Sequence, residues 1–283
     1  MAKGYRLCPC GSGLPYKACC GGKEQSEQEA VSRNRAAAYA GRTGSLREAF
    51  CREYTAHKQA AIRGIAGGLR QEAKANGKEI SCAKGCPWCC DVYVVASLQE
   101  CEAIVYYLYL HKDLLQHFLR AYRDWRMGVE KIRGTFFEIS RLQQKRMSRE
   151  TTPRDNDAFD AELVKYARQG LSCPFLKDGA CSIYEVRPFV CAGLVSTTCR
   201  EWCNPAHPSH RHIGLLKAEV TMDADMPYFA NPQGKPALTS MPALVYEILR
   251  YGWEFLCKVP GLEHLETDIK GDPEICEILR KSP

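Results

Sequence analysis

The plainest apolar-periodic stretch of the chain runs from Leu98 to about Trp125, and it predicts a helix. Ser97-Leu98-Gln99-Glu100 opens it with the capping-box pattern, a hydroxyl followed three residues later by a carboxylate. Upstream, Arg35 to Asn76 is rich in Ala, Arg, Glu and Gln and also reads as helical, with Gly41, Gly44 and Gly67-Gly68 as weak points. Residues 23–34 are polar and read as a short linker or the start of that helix. Val92 to Ala96 predicts a short strand or extended piece. Residues 151–157 (TTPRDND) read as a turn, Ala158 to Gln169 as a helix, and Gly170 as its stop. Two more helices are expected at about Ala243–Leu256 and Pro273–Lys281. Between these elements lie two segments without helical period, 81–91 and 171–212. No internal repeat or low-complexity tract is present. The fold class expected is mainly α: a helical domain with irregular cysteine-rich segments and a small N-terminal knuckle.

Composition sharpens this picture. The chain has 283 residues, and 45% are apolar, enough to bury a real core. A net charge of +6 is mild and does not by itself mark a nucleic-acid-binding protein. The longest apolar run, Ala103 to Leu110, is too short to span a bilayer. No apolar segment follows Lys3 and Arg6 as an export signal would require, so a cytoplasmic location is expected. The 17 cysteines are the unusual number. A chain of this size does not need disulfide staples, and clustered reduced thiols argue for metal.

The first cluster is CPCGSGLPYKACC. Cys8, Cys10, Cys19 and Cys20 fall within thirteen residues. A tetrahedral zinc takes four soft donors, and Gly11 and Gly13 allow the tight return that would close the site. So short a segment has no core of its own, so metal would supply most of its folding energy. This stretch resembles the SEC-C motif, the small zinc-binding tail of the secretion ATPase SecA and of other bacterial proteins. The resemblance implies zinc on Cys8, Cys10, Cys19 and Cys20. It also implies a docking role toward a chaperone such as SecB or toward the ribosome. In SecA the motif is C-terminal, whereas here it opens the chain.

The second cluster is Cys82-Ala-Lys-Gly-Cys86-Pro-Trp-Cys89-Cys90. These thiols could share one face of a helix as buried apolar residues. Gly85 and Pro87 oppose that, since a proline inside a helix costs about 3 kcal/mol, and a loop wrapping its thiols around a metal fits better. Downstream runs CPFLKDGACSIYEVRPFVC, from Cys173 through Cys181 to Cys191, followed by Cys199 and Cys203. Lys177-Asp178-Gly179 is a turn that would fold Cys173 and Cys181 toward each other.

These two stretches resemble the YkgJ-like CxxCxxCC cysteine-cluster family, described as zinc- or iron-chelating. The resemblance spans about residues 80–205, with a helical insert at 98–170. The first gap here is three residues rather than two. Ala192 stands where family members often carry an arginine. The candidate ligands are Cys82, Cys86, Cys89, Cys90, Cys173, Cys181, Cys191 and Cys199. Four thiolates serve one zinc or one iron–sulfur cluster, and eight could serve two sites. Spacing alone does not separate zinc from iron–sulfur, and the resemblance tips the choice toward iron–sulfur. Adjacent Cys89 and Cys90 point different ways in most backbone conformations, which leaves two alternatives open: one binds while the other stands behind it, or the two serve different metals.

Other signals are weaker. Cys203, His207, His210 and His212 have a zinc-like spacing in a proline-containing loop that reads first as solvated. Cys51, Cys101, Cys257 and Cys276 stand alone and read as buried small apolar residues. Arg141, Lys145 and Arg149 share a helix face, which reads as solvated before it reads as an RNA-binding patch. No phosphate loop, nucleophile elbow or acid/base pair is evident. The parts expected are a SEC-C-like module at 1–22, a helical linker region at 23–79, and a cysteine-cluster domain at 80–283. The function expected is metal binding with a docked protein partner. An iron–sulfur-dependent peptide- or protein-modifying enzyme, similar to the flagellin lysine methylases, is the alternative.

Overall fold

The computed structural model describes residues 45–147, 150–218 and 238–251, together with Pro273. The module at 1–22 with Cys8, Cys10, Cys19 and Cys20, the polar segment 23–34 and most of the expected last helix lie outside the described residues. Among those described, the protein is mostly helical, as expected, with short two-stranded ladders between helices.

Helix α1 (Ser45–Ala75) is the longest element. Its buried face is a stripe at three- and four-residue spacing: Tyr54, Lys58, Ile62, Leu69 and Ala73. The stripe meets Phe189 and Ala192 near its middle and Leu216 near its end. Gly67 and Gly68, expected to weaken this helix, do not interrupt it, because the apolar stripe is anchored on both sides of them. The helix ends in a Schellman motif. Lys78 N–H bonds the Ala73 carbonyl at 2.9 Å, Gly77 N–H bonds that of Lys74 at 3.1 Å, and Gly77 takes the left-handed conformation, φ 62°.

The helix expected from Leu98 to Trp125 is two helices, α2 (Leu98–Tyr109) and α3 (Lys112–Lys131). The apolar pattern runs through the junction, which is why the break is not visible in it. His111 leaves helical geometry (φ −133°, ψ 77°), and its Nδ1 meets the Tyr107 carbonyl at 2.7 Å while its ring stacks on Tyr107. This side chain joins the Leu110 N–H, which reaches the same carbonyl at 3.2 Å, in satisfying the end of the helix. The break lets α3 pack against α2, burying Leu115, Phe118, Leu119, Tyr122, Trp125 and Val129. The Ser97–Glu100 capping box is formed, with both reciprocal bonds present.

Helix α4 (Arg133–Met147) packs on α5 (Pro153–Ala167). Most of the stretch 151–157, expected as a turn, is instead the N-cap and first turn of α5, which starts at Pro153. Thr152 is its N-cap, Pro153 follows where a missing N–H costs nothing, and Asp155 completes a second capping box. Short α6 (Phe189–Ala192) and α7 (Met241–Tyr251) complete the helices. Strand β1 (Val95–Ala96) lies inside the extended piece expected at 92–96. It pairs with β6 (Thr239–Ser240), which leads directly into α7. The remaining ladders join β2 (Leu176–Lys177) to β3 (Ala180–Cys181), and β4 (Leu194–Ser196) to β5 (Leu215–Lys217).

The core is aromatic-rich. Phe118 stacks on Phe175 and Tyr122 on Tyr246, while Trp125 Nε1 donates to the Tyr166 hydroxyl at 2.9 Å. Cys173, Cys181 and Cys191 pack against its edge. Cys101 is fully buried, as its isolated position on an apolar helix suggests. No helix among the described residues is long and apolar enough to cross a membrane.

Candidate metal centre

The ten cysteines whose side chains are described are all free thiols. Eight of them come from three distant segments and gather on one side of the helical core. No α-helix runs through the first segment. Pro87 precedes a 3-10 turn, Trp88–Asp91, that carries Cys89 and Cys90. This segment is tied at both ends. Ser81 N–H bonds the Ser196 carbonyl at 2.9 Å, and Cys173 N–H bonds the Cys90 carbonyl at 2.7 Å. The Ser172 hydroxyl adds a 2.6 Å bond to Asp91.

The hairpin β2–β3 positions Cys181. Asp178 (φ 50°) and Gly179 (φ 75°) both take positive φ, the signature of a type I′ turn, so the turn expected at 177–179 is formed. Cys191 sits on α6. That helix is held at its start by Phe189 N–H donating to Glu100 Oε1 at 2.8 Å.

Backbone N–H groups are aimed at the sulfurs. Cys86, Cys173 and Cys181 each receive one from the residue two further along, namely Trp88, Phe175 and Ile183. Cys82 Sγ receives the Ser196 N–H at 3.2 Å. Donors of this kind favour a thiolate over a thiol. Burial acts the other way and dominates at most positions. It pushes Cys173 up to about 12 and raises Cys86, Cys181 and Cys191 as well. Two thiol–thiol contacts stand out. The Cys203 thiol hydrogen-bonds Cys82, and the Cys90 thiol hydrogen-bonds Cys89. In each pair the first-named thiol is raised, and its partner is held below the ordinary thiol range.

Arg187 faces this group. Its guanidinium favours the charged forms of Cys82, Cys89, Cys181 and Cys191. It lies 3.7 Å from the centroid of the Tyr184 ring, and its Nε is buried without a hydrogen-bond partner. A buried, unmet cationic donor beside thiols suits a centre that carries negative charge. The donor set of thiols alone, with no carboxylate among them, is that of zinc or an iron–sulfur cluster.

Cys199, counted among the candidate ligands through the family resemblance, is not brought to the others. It is exposed, and its thiol bonds Glu201 at 2.7 Å. Cys203, four residues on, stands beside Cys82 in its place. Spacing could not choose between them, because the choice is made by the 3-10 turn Arg200–Cys203 that packs on the turn carrying Cys89 and Cys90. The histidines have local partners. His210 Nδ1 meets the Trp202 carbonyl at 2.6 Å, His207 Nδ1 accepts Ser209 N–H at 3.0 Å, and His212 Nε2 accepts from Arg211 Nε at 2.9 Å. Among the described residues, no three or more Cys, His, Asp or Glu groups stand close enough, as placed, to hold a metal ion. The thiols converge as contacting pairs and near neighbours, so ligation requires their side chains to draw inward.

On the basic face, Arg141 bonds Glu138 at 2.8 Å and Lys145 bonds Asp155 at 2.9 Å. These pairings suit the solvated reading. Arg149 lies outside the described residues.

Among known proteins, the SEC-C motif matches residues 7–22. That match takes in Cys8, Cys10, Cys19 and Cys20 and stops well short of the cluster at 82–90. No curated protein and no solved structure matches the chain.

Proposed function

We propose that the chain is a metal-binding protein with two metal-bearing parts. The first is the SEC-C segment, where Cys8, Cys10, Cys19 and Cys20 hold zinc and form a docking handle for a protein partner, a chaperone of the SecB kind or the ribosome. The second is a thiolate-ligated centre drawn from Cys82, Cys86, Cys89, Cys90, Cys173, Cys181 and Cys191, carrying zinc or an iron–sulfur cluster. This second part is what the resemblance to the YkgJ-like cysteine-cluster family leads one to expect. The observation that carries the reading is the convergence of thiols from three distant segments with backbone N–H groups aimed at their sulfurs.

In this reading the protein residues have distinct tasks. The thiols bind. The N–H groups of Ser196, Trp88, Phe175 and Ile183 favour the thiolate form against the opposing effect of burial. Arg187 offsets the negative charge that remains when four thiolates meet a divalent ion. A bound zinc would act structurally with four protein ligands, whereas an iron–sulfur cluster would add electron transfer.

The test is elemental analysis with a visible spectrum on full-length protein purified without oxygen, alongside a Cys8→Ser/Cys10→Ser variant. The expected result is stoichiometric zinc that falls by one equivalent in the variant, with the central metal retained. Brown protein with iron would assign iron–sulfur to the centre, and colourless protein with zinc alone would assign zinc. A metal-free wild-type chain overturns the reading.

A further inference from the structure

We propose that the outer edge of strand β5 is a docking site for an extended, acidic segment of a partner protein, which adds to the β4–β5 ladder as a third strand. This surface is separate from the SEC-C segment and needs no metal.

The ladder bonds fix which way β5 faces. Ala218 N–H bonds the Gly193 carbonyl, and Thr197 N–H bonds the Gly214 carbonyl, both at 2.8 Å. In the register of this ladder those two pairs bracket the pair Val195–Leu216. In an antiparallel ladder, bonded pairs alternate with pairs whose N–H and C=O groups point outward. The bonded pairs are therefore Gly193–Ala218, Val195–Leu216 and Thr197–Gly214. The N–H and C=O groups of Leu215 and Lys217 point away from β4. Among the described residues, nothing bonds them. The far edge of the ladder is occupied at Ser196, whose C=O accepts Ser81 N–H at 2.9 Å and whose N–H reaches Cys82 Sγ at 3.2 Å. An extended peptide laid along β5 would gain main-chain bonds to both outward residues, the mode by which a strand is added to a sheet edge.

The side chains suit such an addition. Leu216 turns inward and packs with Leu69 and Ala73 of α1. Leu215 and Lys217 are exposed on the other face, and Leu194 of β4 is exposed on that same face. An apolar side chain of an incoming strand would therefore find Leu215 beside it.

Charge selects the occupant. Arg70 and Lys74 each follow a residue that packs on Leu216, and Lys78 stands in the turn that closes α1. These three and Lys217 are exposed, and none makes an ion pair among the described residues. Glu72 and Glu79 offset only part of this charge. An acidic segment is the complement of an edge bordered this way. A second copy of the chain is not. Pairing β5 with its own symmetry mate about Leu216 would set two Lys217 side chains on one face of the seam, where like charges repel. A lysine on a short edge strand is a device against self-pairing.

Hydrogen–deuterium exchange resolved to single residues on the full-length protein tests this, with two soluble peptides as probes, one alternating Val and Glu, the other Val and Lys. The Leu215 and Lys217 amides are expected to exchange fast in the free chain. The Val-Glu peptide should slow both, less so as salt is raised, and the Val-Lys peptide should leave them fast. Lys217→Glu, a surface change, should weaken the Val-Glu peptide about fivefold and admit the Val-Lys peptide. Leu215→Pro removes an outward N–H without touching a bond to β4 and should abolish the protection at Lys217. Amides already slow in the free chain overturn the proposal. Light scattering then assigns the edge to a second copy if the chain self-associates, and to another part of the same chain if it does not. Protection by both peptides alike, or by neither, also overturns it.

Discussion

Glu100 serves three donors at once. Its Oε1 takes Lys58 Nζ at 3.0 Å and the Phe189 N–H at 2.8 Å, and its Oε2 takes the Ser97 N–H at 3.0 Å. Lys58 and Glu100 side chains are only 0% and 3% exposed, and the Lys58 ammonium also lies over the Phe189 ring. One carboxylate therefore ties α1, the start of α2 and the helix that carries Cys191. Glu100→Gln leaves the Lys58 charge buried without its counter-ion, and such a change costs roughly 3–5 kcal/mol. The denaturant midpoint should fall accordingly, and the Lys58→Met/Glu100→Gln double variant should recover part of the loss. An unchanged midpoint in Glu100→Gln would show that the pair does not hold these elements together. The sequence shows half of this role: the Ser97–Glu100 spacing announces the cap, while nothing near Lys58 announces its partner forty-two residues away. The same holds for Arg187, whose place facing four thiols depends on segments that meet only after folding.

At the scale of elements, local signals were readable where the chain satisfies its own backbone. The Asp178-Gly179 turn forms as its residue types demand, and Gly179→Ala should cost about 1 kcal/mol because alanine resists a positive φ. Displacement of Cys181 should accompany the loss, seen as weaker retention of the central metal against a chelator. Helix α5 begins earlier than composition suggests because Thr152 and Asp155 cap each other. Thr152→Ala should lower stability by about 1 kcal/mol in thermal unfolding.

The same cap carries a pH dependence. The Thr152 N–H, then the Lys145 ammonium and the Thr152 hydroxyl, hold the Asp155 carboxyl well below the usual carboxylate range. A folded-state value below the unfolded one gives stability that is present above the unfolded value and lost as pH falls through the folded one. The loss should therefore begin below about pH 4. Asp155→Asn should flatten that acid limb, and an identical acid limb in the variant would contradict the assignment. The break between α2 and α3 was not readable, because apolar residues continue on both sides of His111 and only the packing of α3 onto α2 selects the break.

For the whole molecule, the mainly helical class followed from periodicity, and the cysteine clusters set apart by helices are what the proposal of metal rests on. The pairing of Cys82 with Cys203 did not follow, since the two are joined across more than a hundred residues. The helical core gives Cys173, Cys181 and Cys191 an edge to pack against, and the irregular segments bring sulfur and N–H groups toward one another. The central claim is that this edge holds metal on sulfur. X-ray absorption at the edge of the metal found in the full-length, anaerobically purified protein tests it most directly. The account predicts a first shell made of sulfur alone, at about 2.3 Å for zinc. A shell dominated by nitrogen or oxygen, or the absence of stoichiometric metal, would contradict it.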